Sequence, residues 1–139
     1  MLNELALCAL VLLLNDSTMT AAKPEEFKLH PIEQMIIDAT NAQRGQYGLA
    51  PLAADRELIQ SARAHAIWMT QNHTMQHTRQ PVAENIAMGQ PDCEAVIAAW
   101  MNSSGHRANM LNPSYRRMGA AAYQMPDGTT IFWCQQFLW

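Results

Sequence analysis

The spacing of apolar residues predicts three helices in the first two thirds of the chain. They span about residues 31–48, 55–72 and 92–101; the first opens on a proline that suits an initial turn, and the others on aspartate N-caps. The expected apolar faces of the first two helices recur at three- and four-residue steps: Ile32, Met35, Ile36, Ala39 and Ala42, then Leu58, Ile59, Ala62, Ala66 and Met69.

The pattern changes after these helices. Residues 73–89 lack clear periodicity, which predicts a loop with one short strand, and residues 106–111 suit a short helical turn. Residues 118–125 and 129–137 are strand-like and flank Pro-Asp-Gly, so they predict an antiparallel hairpin. Helices followed by a hairpin indicate an α+β domain whose sheet is covered by helices.

The N-terminal residues form a separate segment. Leu5–Leu14 is an unbroken apolar run, and small residues follow up to Ala22, which predicts a secretory signal over residues 1–22, a linker over 23–30 and one domain over 31–139. Ten helical residues rise only about 15 Å, half of a bilayer core, so no stable membrane span is expected in the mature form. Retention of the segment as an anchor is the alternative. The expected location is secreted or periplasmic.

The charge of the chain argues against nucleic acid as a partner. The net charge is −3 and the nine basic residues are scattered, so we expect no nucleic-acid binding.

Removal of the signal leaves Cys93 and Cys134, and an even pair in an exported chain favours a disulfide between them. Two separately buried thiols are the alternative.

Polar residues outside the predicted helices provide the candidate chemistry. His77, Glu84 and His106 form a ligand set that zinc accepts, with a fourth position left for water. The same three side chains could instead hydrogen-bond one another and hold the loops in place. Their spacing alone does not decide between these interpretations.

An ordered set of motifs gives the chain a family resemblance. The motifs are Asn41-Ala42-Gln43-Arg44, His77, Glu84-Asn85-Ile86-Ala87, Trp100, the run from Gly105 to Pro113 (Gly-His-Arg-Ala-Asn-Met-Leu-Asn-Pro) and Trp133-Cys134-Gln135-Gln136-Phe137. In this order they resemble the bacterial type of the CAP superfamily, which comprises cysteine-rich secretory proteins, antigen 5 and pathogenesis-related proteins and is also called the SCP domain.

The resemblance implies a three-layer α-β-α sandwich with a central antiparallel sheet. It also implies a cleft in which two histidines and two acidic residues meet. Carried over by position, the histidines are His77 and His106 and the first acid is Glu84. The second acid is absent, and Ser103 stands nearby as a hydrogen-bonding residue of the cleft.

The resulting functional expectation is an exported binding or interaction module. Its cleft would take a divalent metal such as zinc on His77 and His106, or an apolar ligand. The expected partner is a small or apolar ligand or a component of the cell envelope. The alternative is a metal-dependent hydrolase that uses the same site, and no catalytic residue is assigned.

Overall fold

The computed structural model describes residues 25–139, so the predicted signal segment lies outside the described residues. The elements are α1 (Pro31–Gln46), β1 (Ala53–Ala54), α2 (Arg56–Asn72), β2 (Ala83–Met88), α3 (Cys93–Met101), α4 (Ser104–Met110), β3 (Arg117–Gln124) and β4 (Ile131–Leu138). The three predicted long helices and the C-terminal hairpin are confirmed. Among the described residues, no helix has the length and apolar character needed to cross a bilayer.

The four strands form one sheet in the order β1-β3-β4-β2. β3 and β4 pair antiparallel around the predicted turn, where Gly128 adopts a φ of 75°, and β2 pairs antiparallel with the other edge of β4. β1 pairs parallel with β3. The sequence pattern missed β1 because two residues are too few to show an alternation.

The two faces of the sheet support separate cores. Along β4, Phe132 and Cys134 pack with α2, whereas Trp133 and Phe137 pack with the residues of α1 and α3. This alternation is expected because successive side chains of a strand point to opposite faces. The predicted α-β-α sandwich is therefore confirmed, with α2 as one outer layer and α1, α3 and α4 on the other side.

The apolar face predicted for α1 is partly wrong. Met35 is 54% exposed, whereas Thr40 and Arg44 are fully buried beside Ile36 and Ile37. Thr40 donates to the Ile36 carbonyl, which satisfies its hydroxyl inside the core. The hydrophobic pattern missed this face because three of its five buried members, Glu33, Thr40 and Arg44, are polar.

Arg44 links α1 to the C-terminal end of α4. Its guanidinium donates to the backbone carbonyls of Ala50, Met110 and Asn112, each at 2.9 Å. Burial, and secondarily the nearby charge of Arg116, lower the pKa of Arg44. The three carbonyl contacts compensate the burial of the charge, so this arginine is a structural tie.

The residues before α1 are attached to α2. The guanidinium groups of Arg56 and Arg63 each lie over the Phe27 ring, 5.3 Å from its centroid. Arg63 also pairs with buried Glu33 and donates to the Lys28 carbonyl at 2.8 Å. The described part of the predicted linker, residues 25–30, has no regular secondary structure but is fastened by this arrangement, which we call the Phe27 clasp.

The predicted disulfide is wrong. Cys93 and Cys134 are both free and buried. Cys93 belongs to the core beneath α1 and α3, whereas Cys134 belongs to the core beneath α2, so the two thiols pack on opposite faces of the sheet. Burial raises the pKa of both thiols, with a further contribution from Asp92 at Cys93 and from Glu84 at Cys134. The alternative interpretation, two separately packed thiols, holds.

Candidate functional site

Two consecutive residues of β2, Glu84 and Asn85, organise the candidate site from opposite faces of the sheet. β2 is an edge strand, and its alternation directs Glu84 toward the α2 side and Asn85 toward α4. Both side chains are buried. Each one contacts a segment that carries a candidate histidine.

The Glu84 carboxylate is saturated with hydrogen bonds. Oε1 accepts from Nδ1 of His77 at 2.8 Å and from the backbone N–H of Thr78 at 2.9 Å. Oε2 accepts from Nε2 of Gln136 at 2.9 Å and from the Cys134 thiol at 3.6 Å. The carboxylate is therefore committed to holding its neighbours, in the way that an outer-shell carboxylate orients a ligating histidine.

His77 is held at one nitrogen and open at the other. Its bond to Glu84 places the proton of the neutral ring on Nδ1, which leaves Nε2 as the acceptor. The side chain is 61% exposed, so Nε2 is accessible from solvent. Such an imidazole can bind a metal ion or accept a proton from a ligand.

His106 comes to the site on α4, and Asn85 holds that helix in place. The Asn85 amide donates to the His106 carbonyl at 3.0 Å and to Oε1 of Gln135 at 3.2 Å. Asn109, one turn later, donates to Oδ1 of Asn85 and to the Glu84 carbonyl. These contacts tie the start of α4 to β2.

The His106 imidazole has a different environment from His77. Burial, and then the charge of nearby His77, lower the pKa of His106, so its neutral form is favoured. Among the described residues, its ring makes no hydrogen bond to His77 or Glu84. The two imidazoles are thus electrostatic neighbours without direct bonding.

His65 of α2, which was not among the predicted site residues, is a third imidazole at this place. Its Nε2 donates to the Gln76 carbonyl at 2.7 Å and lies 3.8 Å from Oε1 of Glu84. Its ring stacks on Trp68, with centroids 5.8 Å apart and planes at 8°. Its position on the apolar face of α2 was the available signal, but no pattern along the chain indicated that Glu84 would lie beside it.

Two solvent-accessible clefts adjoin the loop that carries His77. The first, about 610 Å³, runs beside α2 and includes Ser61, Gln80 and Arg117. The second, about 420 Å³, is lined by Gln76, His77 and Arg79 among others. His65, Trp68 and Thr78 line both clefts. Within residues 25–139, no group of three or more His, Cys, Asp or Glu side chains is arranged to hold a metal ion.

The sequence matches the profile of the cysteine-rich secretory protein family, CAP, over residues 37–137. The chain belongs to this family. The match includes the whole candidate site, so the resemblance noted in the sequence motifs is confirmed, and its framework corresponds to the CAP domain.

Relatives of this CAP domain include bacterial extracellular proteins. The chain is 34% identical over 123 residues to the uncharacterized protein YkwD of Bacillus subtilis, covering 76% of this chain and 46% of YkwD. It is 27% identical to an extracellular SCP-domain protein of Bacillus anthracis, with a TM-score of 0.68, covering 81% of this chain and 45% of that one. An outer surface protein of Borrelia burgdorferi shares the fold, with 22% identity and a TM-score of 0.67, over 75% of this chain and 90% of that protein. The chain thus spans less than half of the first two relatives.

The segment after α3 contains no acidic residue where the family resemblance implied a second acid for the cleft. Asn102 is the C-cap of α3, and Ser103 is the N-cap residue of α4 although its side chain makes no capping hydrogen bond. Ser103 is half-buried, three residues before His106. The described residues therefore provide one exposed imidazole (His77), one half-buried imidazole (His106) and one committed carboxylate (Glu84).

Proposed function

We propose that this CAP domain acts outside the cytoplasm as a binding module whose cleft is centred on His77, Glu84 and His106. The observation that carries the proposal is the saturation of the Glu84 carboxylate by four donors. A general base needs a free lone pair directed at the proton it removes. A carboxylate that instead fixes a histidine is suited to presenting that imidazole to a ligand.

The chemistry of the donor set is compatible with a weakly bound divalent metal. His77 would supply Nε2 and His106 its neutral imidazole, while Glu84 would act behind His77. Because two imidazoles form an incomplete ligand set, water or oxygen atoms of a ligand would fill the remaining positions. Bound there, zinc would act as a Lewis acid toward those oxygens.

Zinc titration of the purified protein tests the metal part of this proposal. We expect binding in the micromolar range or weaker, and loss of binding in His77→Ala and His106→Ala. His73→Ala is the matched control, because His73 is exposed at the C-terminal end of α2. Equal zinc affinity in wild type and His106→Ala, or no zinc binding by wild type, would contradict it.

The competing function is a metal-dependent hydrolase that uses the same residues. It requires Glu84 to release at least one of its donors and to activate a metal-bound water. Such an enzyme loses turnover on chelation and in Glu84→Gln, whereas a binding module has no turnover to lose. Chelator-sensitive hydrolysis that also disappears in Glu84→Gln would therefore replace the binding proposal.

Export is the second part of the proposal. It is supported by the apolar run at Leu5–Leu14 and by the extracellular and outer-surface relatives. N-terminal sequencing of the protein from its native host should find a mature end near residues 21–23. Intact Met1 on a protein recovered from the cytosol would contradict export.

A further inference from the structure

An exposed tryptophan forms the ridge between the two clefts. Trp68 is 40% exposed although it lies on a helix whose buried face is complete without it, with Ala62, Ala66 and Met69 fully covered. Its indole lines the cleft on either side. Exposing so large an apolar surface to water is unfavourable, and a partner that covers it gains binding free energy.

The indole is held in one orientation before any ligand arrives. It stacks nearly parallel on the His65 ring, and the Gln76 carbonyl fixes that ring through Nε2. Restricting the aromatic ring in advance reduces the entropy lost on binding. We call this pair of stacked rings the Trp68 ridge.

The side chains around the ridge combine apolar surface with neutral hydrogen-bonding groups. Ser61, Thr78 and Gln80 offer hydroxyl and amide groups to the first cleft. Leu58, Val82 and Leu138 add aliphatic surface. Among the charged side chains of this cleft, Nη1 of Arg117 lies 2.9 Å from Oδ2 of Asp55, and Glu57 has no ion-pair partner among the described residues. Apolar surface beside neutral hydrogen-bonding groups matches a ligand that has many hydroxyl groups and also an apolar face to place on an indole.

We propose that the Trp68 ridge and its two clefts bind an oligosaccharide of neutral sugars. One sugar ring stacks its C–H face on the indole, and its hydroxyl groups bond to the neutral rim. The cleft volumes of about 610 and 420 Å³ are within the usual range of ligand sites, so the chain of sugars extends to both sides of the ridge. Because the second cleft includes His77, the inference names a ligand class for the proposed binding module and rests on that proposal.

The test measures binding of two defined probes, the tetrasaccharide of N-acetylglucosamine and cellotetraose, and of dodecanoate as an apolar comparison, by calorimetry and by shifts of the Trp68 indole resonance. We expect at least one probe to bind with a Kd below about 1 mM. Trp68→Ala should weaken binding about tenfold, because one aromatic stack contributes about 1.4 kcal/mol, and Trp68→Phe should retain part of the affinity. Trp139→Ala is the matched control, since Trp139 is 74% exposed and lines neither cleft.

The outcomes separate this inference from the metal proposal. Binding of neither probe, or equal binding by wild type and Trp68→Ala, overturns the inference even when zinc binds. Binding of dodecanoate with neither saccharide overturns it as well, in favour of an apolar ligand. Trp68-dependent saccharide binding that persists in His106→Ala supports the inference, and it does so whether or not zinc binds to the wild type.

Discussion

The side-chain amide of Gln136 donates to Oε2 of Glu84 at 2.9 Å, across the pairing of β4 with β2. Gln136 is fully buried, and its other amide atom, Oε1, has no hydrogen-bond partner among the described residues. An unpaired buried oxygen is unfavourable, so the position retains a polar residue at some cost to stability. The hydrogen bond that this amide donates to Glu84 explains why a polar residue occupies position 136.

Replacing this amide by an acid should make stability depend on pH. In Gln136→Glu, two buried carboxylates face each other, and their repulsion raises the pKa of at least one. A raised carboxyl pKa in the folded state means that stability is lost as pH increases above about 4.3, the ordinary glutamate value. Urea denaturation at pH 5 and pH 8 should show the larger destabilisation at pH 8. Gln136→Met is the uncharged control, and a destabilisation of Gln136→Glu that does not change with pH would contradict the proximity of the two side chains.

Gly119 sets the distance between α2 and the sheet. A Cβ at this position would overlap the backbone of Leu58 and Ile59, which cannot move as a flexible side chain can. Gly119→Ala should therefore destabilise the domain by about 3 kcal/mol. Gly45→Ala is the matched control, because it adds the same methyl group to α1 in open space and should stabilise by up to about 1 kcal/mol. The free energy of unfolding in urea measures both changes, and equal effects would contradict the close contact at Gly119.

The two cysteines should behave as packed thiols. A reductant should leave the melting temperature unchanged, because no bond joins Cys93 and Cys134. A thiol reagent should modify neither residue in the folded protein and both after denaturation, since burial raises the pKa of each thiol and blocks access. A clear decrease in melting temperature on reduction would indicate the disulfide that the sequence favoured.

Asp55 should make the folding stability of the domain partly dependent on acidic pH. Its bond from the Leu58 N–H, together with Arg117, lowers its pKa despite some opposing desolvation. A lowered carboxyl pKa adds stability above the unfolded value of about 3.9, and this stability is lost as pH falls through the folded value. Asp55→Asn keeps an N-cap oxygen but does not titrate, so its stability should fall less between pH 6 and pH 3. Urea denaturation across this range provides the measurement, and identical pH profiles would contradict the assignment.

The sequence predicted those elements whose burial follows apolar periodicity. Ile59, Ala62 and Ala66 recur on one face of α2, and the structure buries that face against the sheet. Apolar periodicity could not predict the buried face of α1. Thr40 is buried there, and its hydroxyl accepts a hydrogen bond from the amide of Gln135, which lies 95 residues away in the sequence. Such partners are set by the tertiary fold, and hydrophobic periodicity carries no information about them.

The candidate site, too, was predictable from the sequence only in part. The family motifs selected His77, Glu84 and His106, but the role of Glu84 depends on donors that come from a loop and from β4. His65 comes within 3.8 Å of Glu84 only because α2 packs across this face of the sheet. The family motifs identified the residues, and the packing of helices on the sheet determines which of their atoms remain free.

The Phe27 clasp also determines how the domain would respond to mechanical load. A pulling force transmitted along the chain toward α1 would first reach the contacts of the Phe27 ring with Arg56 and Arg63, and then the Arg63–Glu33 ion pair. Residues 25–30 are held by side-chain contacts and belong to no strand ladder, whereas β3 and β4 pair along their whole length, so we expect the clasp to open first. We therefore expect tension from the N-terminal side to release residues 25–30 before it distorts the loop that holds His77.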